Sequence, residues 1–166
     1  MKTRKFSTSA SIITILLLVT GLMSGADATE KADPQDTVLS FNSLLTDGDA
    51  NAAVAKLAAG GAQFVLRSLH EGVNPETLTA DIVKHWSTIA PVVIASTSTY
   101  SRQVEIIDAE VHGDVATVWT QTSTEAVALN SDQKKTNSFT EVYLLIATAD
   151  GWKIAAIADN RQTTKL

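Results

Sequence analysis

Asp81 and His85 stand four residues apart in a stretch with helical spacing, so their side chains can meet on one face of a helix. A carboxylate that orients an imidazole makes a general base, and this pair is the sharpest catalytic lead in the chain. The same spacing also describes an ordinary ion pair on a half-exposed helix face. Proton abstraction beside a carbonyl further needs a donor that stabilises the enolate. Tyr100 and Tyr143 are the available phenols, and Asp108, Glu141 and Asp159 are the carboxylates with which they could act. None of these has a diagnostic neighbour, and Asp159 with Arg161 also reads as a pair at the end of a strand.

Other chemistry is sparse. The histidines are His70, His85 and His112, with neither the H-x-x-x-H nor the H-x-H spacing of a metal site. There is no cysteine, which removes disulfides, thiolate metal ligands and a cysteine nucleophile. No phosphate-binding glycine loop, nucleophile elbow or nucleic-acid module occurs, so no metal and no cofactor is expected. The large side chains that could line a ligand site are Trp86, Trp119 and Tyr143. Trp152, just after a turn, reads as core.

The elements that must position these residues follow from periodicity. Asp33 caps a helix with Pro34 at its first position, and Val38, Phe41, Leu44 and Leu45 form its apolar stripe. Asp49 caps a second, alanine-rich helix over 52–59 that Gly60-Gly61 stops. Residues 63–69 read as a short strand and 72–75 as a loop. Thr79-Ala80-Asp81 opens a third helix in which Ile82, His85, Trp86 and Ile89 share a face and which Pro91 closes. Four antiparallel strands follow, over 102–111, 114–125, 139–148 and 152–159, with a polar loop over 130–137. His112-Gly113 and Asp150-Gly151 are the hairpin turns. The fold class is therefore α+β, three N-terminal helices on one face of a bent, mostly antiparallel sheet.

Reading the hairpins face by face gives two further expectations. In the first, Ala109 opposes Ala116 and Ile107 opposes Val118, and the doubled apolar step at Ile106-Ile107 calls for a bulge. In the second, Tyr143, Leu145, Ala147, Trp152, Ile154, Ala156 and Ala158 share one face. Val142, Leu144, Ile146, Ala155 and Ile157 share the other. Both faces are apolar. One packs on the helices, and the other needs a cover, which is expected to be a second copy in a homodimer or else a loop of the same chain.

At 166 residues, 45% hydrophobic and 19% charged, the chain has the composition of one globular domain rather than a disordered segment. Its first residues lie outside that domain. Lys2, Arg4 and Lys5 precede an apolar run over 12–19, broken only by Thr14, and Ala26-Asp27-Ala28 has the form of a cleavage site. This is the layout of a secretory signal over 1–28, cleaved after Ala28, and its apolar stretch is shorter than the ~20 residues that span a bilayer. Residues 29–166 then form one exported domain, periplasmic or secreted, with no membrane attachment after cleavage. Ten Lys and Arg remain against seventeen Asp and Glu, a net charge near −7. The acids are dispersed, which argues against nucleic-acid partners.

Four stretches carry a likeness to a known superfamily. They are Leu45-Thr46-Asp47-Gly48-Asp49 with the alanine-rich segment after it, Val111-His112-Gly113-Asp114-Val115-Ala116, Phe139-Thr140-Glu141-Val142, and Asp150-Gly151-Trp152-Lys153-Ile154. In this order and spacing, over about residues 34–162, the chain resembles the nuclear-transport-factor-2-like (NTF2-like) superfamily, in its small SnoaL-like or DUF4440-like bacterial branch. The resemblance implies a bent sheet wrapped around helices, an apolar pocket at the open end of the cone and dimers through the outer sheet face. The superfamily contains isomerases, dehydratases and cyclases as well as binding modules, so fold alone does not choose among them. The expectation is a non-catalytic module for a small apolar ligand or a protein. The alternative is an isomerase or lyase of the SnoaL or ketosteroid-isomerase type.

Overall fold

The computed structural model describes residues 33–65 and 78–159. The leader, His70, the 72–75 loop and Arg161 lie outside the described residues. Asp33 caps helix α1 (Pro34–Thr46) by accepting from the Gln35 N–H at 2.9 Å, and Pro34 stands in its first turn. Val38, Phe41 and Leu45 are buried along one stripe, as the spacing predicts. Asp49 caps α2 (Ala50–Val54) through the Ala52 N–H at 3.0 Å.

The alanine-rich segment departs from expectation at this point. The helix ends at Val54, and Leu57–Val65 is strand β1, running through Gly60-Gly61. Helix propensity is a weak prior, and here pairing with the sheet outweighs it. Gly60 adopts φ +77° within the irregular stretch of β1. A Cβ on Gly61 would lie 2.4 Å from the Ala155 carbonyl oxygen and 2.9 Å from Ile82 Cγ2. Gly61 thus lets two backbones and α3 close together and Gly60 supplies a left-handed residue, instead of the pair stopping a helix. β2 (Leu78–Asp81), which the sequence reading treats as the start of the third helix, pairs with β1. Asp81 caps α3 (Ile82–Ser96), which continues past Pro91. The proline's fixed φ is helical, so it removes one ladder hydrogen bond without ending the helix. Ala90 takes the buried place after Ile82 and Trp86, and Ile89 is exposed.

Four long strands complete the sheet: β3 (Thr97–His112), β4 (Val115–Ala128), β5 (Lys134–Thr148) and β6 (Gly151–Asp159). They extend into what reads as polar loop at 130–137, because Lys134 through Ser138 pair with β4. The sheet order is β2-β1-β6-β5-β4-β3, with β1 parallel to β6 and the remaining pairs antiparallel. Both hairpin turns sit one residue off the expected place. His112 pairs with Val115, and Thr148 with Gly151. The first register shifts with its turn, so Ala109 opposes Val118 and Val111 opposes Ala116. The expected bulge is present between Ile106 and Asp108, and it turns Ile107 out to solvent.

A second irregularity corrects the face assignment of β6. Leu144 pairs with Ala156 and Leu145 with Ile154, leaving Ala155 as an extra residue that reverses the alternation. Ile157 is therefore completely buried inside, opposite Tyr143, not on the outer face. Ala156 and Ala158 are half-buried, outside the inward row. Trp152 is buried and β5 and β6 form an adjacent antiparallel pair, as the two-turn reading requires. α1 packs across β3, β4 and β6, and α3 against β1. The core between them joins Val38, Phe41, Ile82, Trp86, Val118, Leu145 and Ile154.

Candidate functional site

Inward alternation along the central strands does not stay apolar. After Ala116 and Val118, β4 turns Thr120, Thr122 and Thr124 into the interior. After Leu145 and Tyr143, going back along β5, the next inward residue is Glu141. β3 adds Arg102, opposite Thr124, and β6 ends on Asp159, opposite Glu141. All are buried. One end of the cone is thus built of hydroxyls and charges.

Arg102 and Glu141 form an ion pair through Nη2 and Oε2, with side chains 0% and 1% exposed. The same Oε2 accepts from the Tyr143 hydroxyl at 2.8 Å and from the Thr122 hydroxyl at 2.8 Å. Arg102 Nε donates to Asn42 Oδ1. Asn42 is aimed by α1 itself, since its Nδ2 donates to the Val38 carbonyl one turn earlier at 2.8 Å. Thr46, a turn further on, accepts from the Arg102 N–H at 2.9 Å, and its one hydroxyl proton is within reach of the Asn42 carbonyl at 3.2 Å and the Arg102 carbonyl at 3.3 Å. β3 is an edge strand, so Thr46 satisfies backbone groups that no further strand could. The guanidinium carbon lies 5.8 Å from the Trp86 ring centroid and 5.5 Å from that of Phe139. Trp86 donates to Gln63 Oε1 at 2.9 Å and meets Phe41 edge-on at 5.1 Å.

The electrostatics follow from burial. Burial pushes the Tyr143 phenol well above its ordinary value, and the adjacent Glu141 carboxylate adds to this against the opposing pull of Arg102. Tyr143 is therefore a neutral donor at any physiological pH. Burial alone would weaken the hold of Arg102 on its proton, but Glu141, Tyr143 and Tyr100 together outweigh it and keep the guanidinium charged. Two atoms of the pair remain without a hydrogen bond although fully buried, Arg102 Nη1 and Glu141 Oε1.

The residues singled out from sequence fall in several places. Glu141 and Tyr143 come together, and Asp159 faces Glu141 across the β5–β6 pair. Tyr100 is half-buried two residues before Arg102 and lines a cleft of about 210 Å³ with Ser101, Glu125 and Lys134. Trp86 walls the network. Trp119 is 45% exposed on the outer side of the sheet. Asp81 is exposed, its carboxylate accepting from the Lys84 N–H at 2.7 Å as a helix cap. His85 is half-buried, edge-on to Trp86 at 5.7 Å. Asp108 is exposed and bonds the Ala109 N–H. Sequence reasoning missed Arg102, Asn42 and Thr122. The available signal was parity: the inward row of β4 runs from Val118 through Thr120 to Thr122, and that of β5 runs back from Tyr143 to Glu141.

No protein-family model matches the chain, and no curated protein sequence matches it. Solved structures do. A ketosteroid isomerase-like protein from Erwinia carotovora atroseptica aligns with a TM-score of 0.61 at 15% identity, covering 83% of this chain and 99% of that one. An NTF2-like superfamily protein from Salmonella enterica serovar Typhimurium aligns at 0.60 and 10% identity, covering 79% and 89%. An NTF2-like protein of unknown function from Shewanella baltica aligns at 0.56 and 13% identity, covering 79% and 92%. At these identities the likeness speaks for architecture alone. With its helices at the N-terminus, its mixed six-stranded sheet and its polar end built on β3, β4 and β5, the chain has the NTF2-like cone fold.

Proposed function

We propose that this protein is an exported, non-catalytic binding module that holds a small, largely apolar ligand in its cone and acts as a homodimer. The observation that carries the reading is the convergence of Arg102, Thr122 and Tyr143 on a single oxygen of Glu141. An enolising enzyme keeps its donors aimed at the place where substrate charge develops. Here the phenol, the hydroxyl and one nitrogen of the guanidinium are spent on an internal carboxylate. The basic start, apolar run and Ala26-Asp27-Ala28 support export. The outer residues Val142, Leu144 and Ile146, with Leu144 38% exposed, support a second copy as cover.

One observation favours the isomerase or lyase alternative. Glu141 Oε1 has no hydrogen bond and so is placed to accept a proton. Two measurements decide between the readings. Toluene should give saturable binding in saturation-transfer NMR, while the α-protons of cyclohexanone in D2O should exchange no faster than in buffer. Exchange above background that Glu141→Gln abolishes would overturn the binding-module reading.

A further inference from the structure

The cleft of about 210 Å³ lies at the end of the sheet where β3 and β5 start and β4 finishes. Thr99, Ser101, Glu125, Val127 and Lys134 are among the residues that line it. It opens away from the interior of the cone. Arg102 on β3 and Thr124 on β4 face inward, so alternation turns Thr99, Ser101, Glu125 and Val127 to the other side. Lys134 stands directly opposite Val127 and shares that side. Lys134 and Leu144 sit near opposite ends of β5, so the cleft is clear of the apolar patch around Leu144.

Inside it, Lys134 Nζ meets Glu125 Oε2 at 2.6 Å, with side chains 55% and 41% exposed, so solutes reach both groups. The contact occupies one oxygen of the carboxylate and one proton of the ammonium, and each group has further hydrogen-bonding capacity. The pair carries no net charge but a large local dipole. A lone anion would gain Lys134 and meet Glu125 as a like charge, and a lone cation would do the reverse. A neutral polar group would gain only the weaker, uncharged kind of hydrogen bond. A ligand that carries both charges side by side gains at both ends. Its carboxylate accepts from Lys134 Nζ and its ammonium donates to Glu125, which closes a ring of alternating charge without breaking the existing pair. An α-amino acid has its charges one carbon apart, close enough to lie antiparallel beside two groups in contact. The volume equals that of roughly seven water molecules, which a small amino acid fills. Val127 offers its side chain an apolar wall, and the Thr99 and Ser101 hydroxyls add donors.

We infer that this cleft is a second binding site, for a small α-amino acid, separate from the apolar ligand proposed for the cone. Glu125 and Lys134 recognise its two charges, and the spacing of those charges is what the site selects.

The test is a chemical-shift titration of the protein with four probes: valine, its isomer 5-aminopentanoate, isobutyrate and isobutylammonium. Valine should move the amide signals of Thr99, Ser101 and Val127 saturably. Its Kd should be roughly tenfold or more below that of each other probe, the factor expected for one charged hydrogen bond. Glu125→Gln and Lys134→Met should each weaken valine binding by a similar factor. Both are exposed substitutions, so the unfolding midpoint should stay close to that of the parent. Raising the salt concentration should weaken binding further. The inference is overturned if valine gives no saturable shift at these amides, if the isomer or either singly charged probe binds as tightly, or if both variants keep the parent affinity. Toluene binding in the cone is a separate readout, so either site can fail while the other stands.

Discussion

Tyr143 ties the stability of the cone to its protonation. Its phenol is buried and donates to a carboxylate, and its hold on the proton is raised above the ordinary tyrosine value of 10.0. A group whose proton is held more tightly in the folded state contributes stability that is complete below its unfolded value. That contribution is lost as pH rises toward the folded value. The window lies on the alkaline side, above about pH 10. Arg102, also raised, works in the same direction at still higher pH. Tyr143→Phe should lower stability at neutral pH by about 1–3 kcal/mol, the cost of removing a donor from a buried carboxylate. It should also flatten the decline of the unfolding free energy above about pH 10. Urea unfolding of both proteins at neutral and alkaline pH measures this, and parallel declines would refute the assignment.

At the scale of elements, α3 shows how one residue can serve two readings. Asp81 and His85 have dyad spacing, yet the Asp81 carboxylate is turned to the Lys84 N–H at the helix start. A capping aspartate is worth ~1 kcal/mol. Asp81→Ala should lower stability by about that amount and leave toluene binding unchanged. If the dyad is a working base, the same substitution instead removes cyclohexanone exchange while the unfolding midpoint barely moves. The elements also show how the polar network is held in place. Asn42 and Thr46 on α1 both reach Arg102 on β3, so the helix and the edge strand are fastened at the guanidinium and at its backbone. Gly61 lets β1 and α3 close on the other side, where the Ala155 carbonyl leaves no room for a side chain.

At the scale of the whole molecule the feature to test is the outer sheet face. Val142, Ile146, Ala156 and Ala158 are half-buried there and Leu144 is exposed, while Trp119 stands exposed on the neighbouring strand β4. A homodimer through this face predicts that Leu144→Asp releases monomers, with the unfolding midpoint of the monomer close to that of the parent. Light scattering at micromolar concentration reads the outcome. A parent protein that is already monomeric removes the interface. Loss of Ile157 from the outer set narrows the face but does not break it, because Leu144 and Ala156 pair directly across β5 and β6.

Local chemistry was legible without a structure. Caps at Asp33 and Asp49, the α1 stripe, two hairpins to within one residue and the bulge at Ile106-Ile107 are all decided by residues within a few positions of one another. Glu141 and Tyr143 could be named as a carboxylate and a phenol of interest from their residue types alone. Tertiary pairing alone decided the rest. Gly60-Gly61 entered a strand because β6 was there to pair with β1, and the extra residue at Ala155 reversed the inward row, bringing in Ile157 and Asp159. Arg102 met Glu141 from 39 residues away, across β4. An alternation pattern says which residues share a face, but not which faces meet. That depends on long-range packing, which no short window of sequence contains.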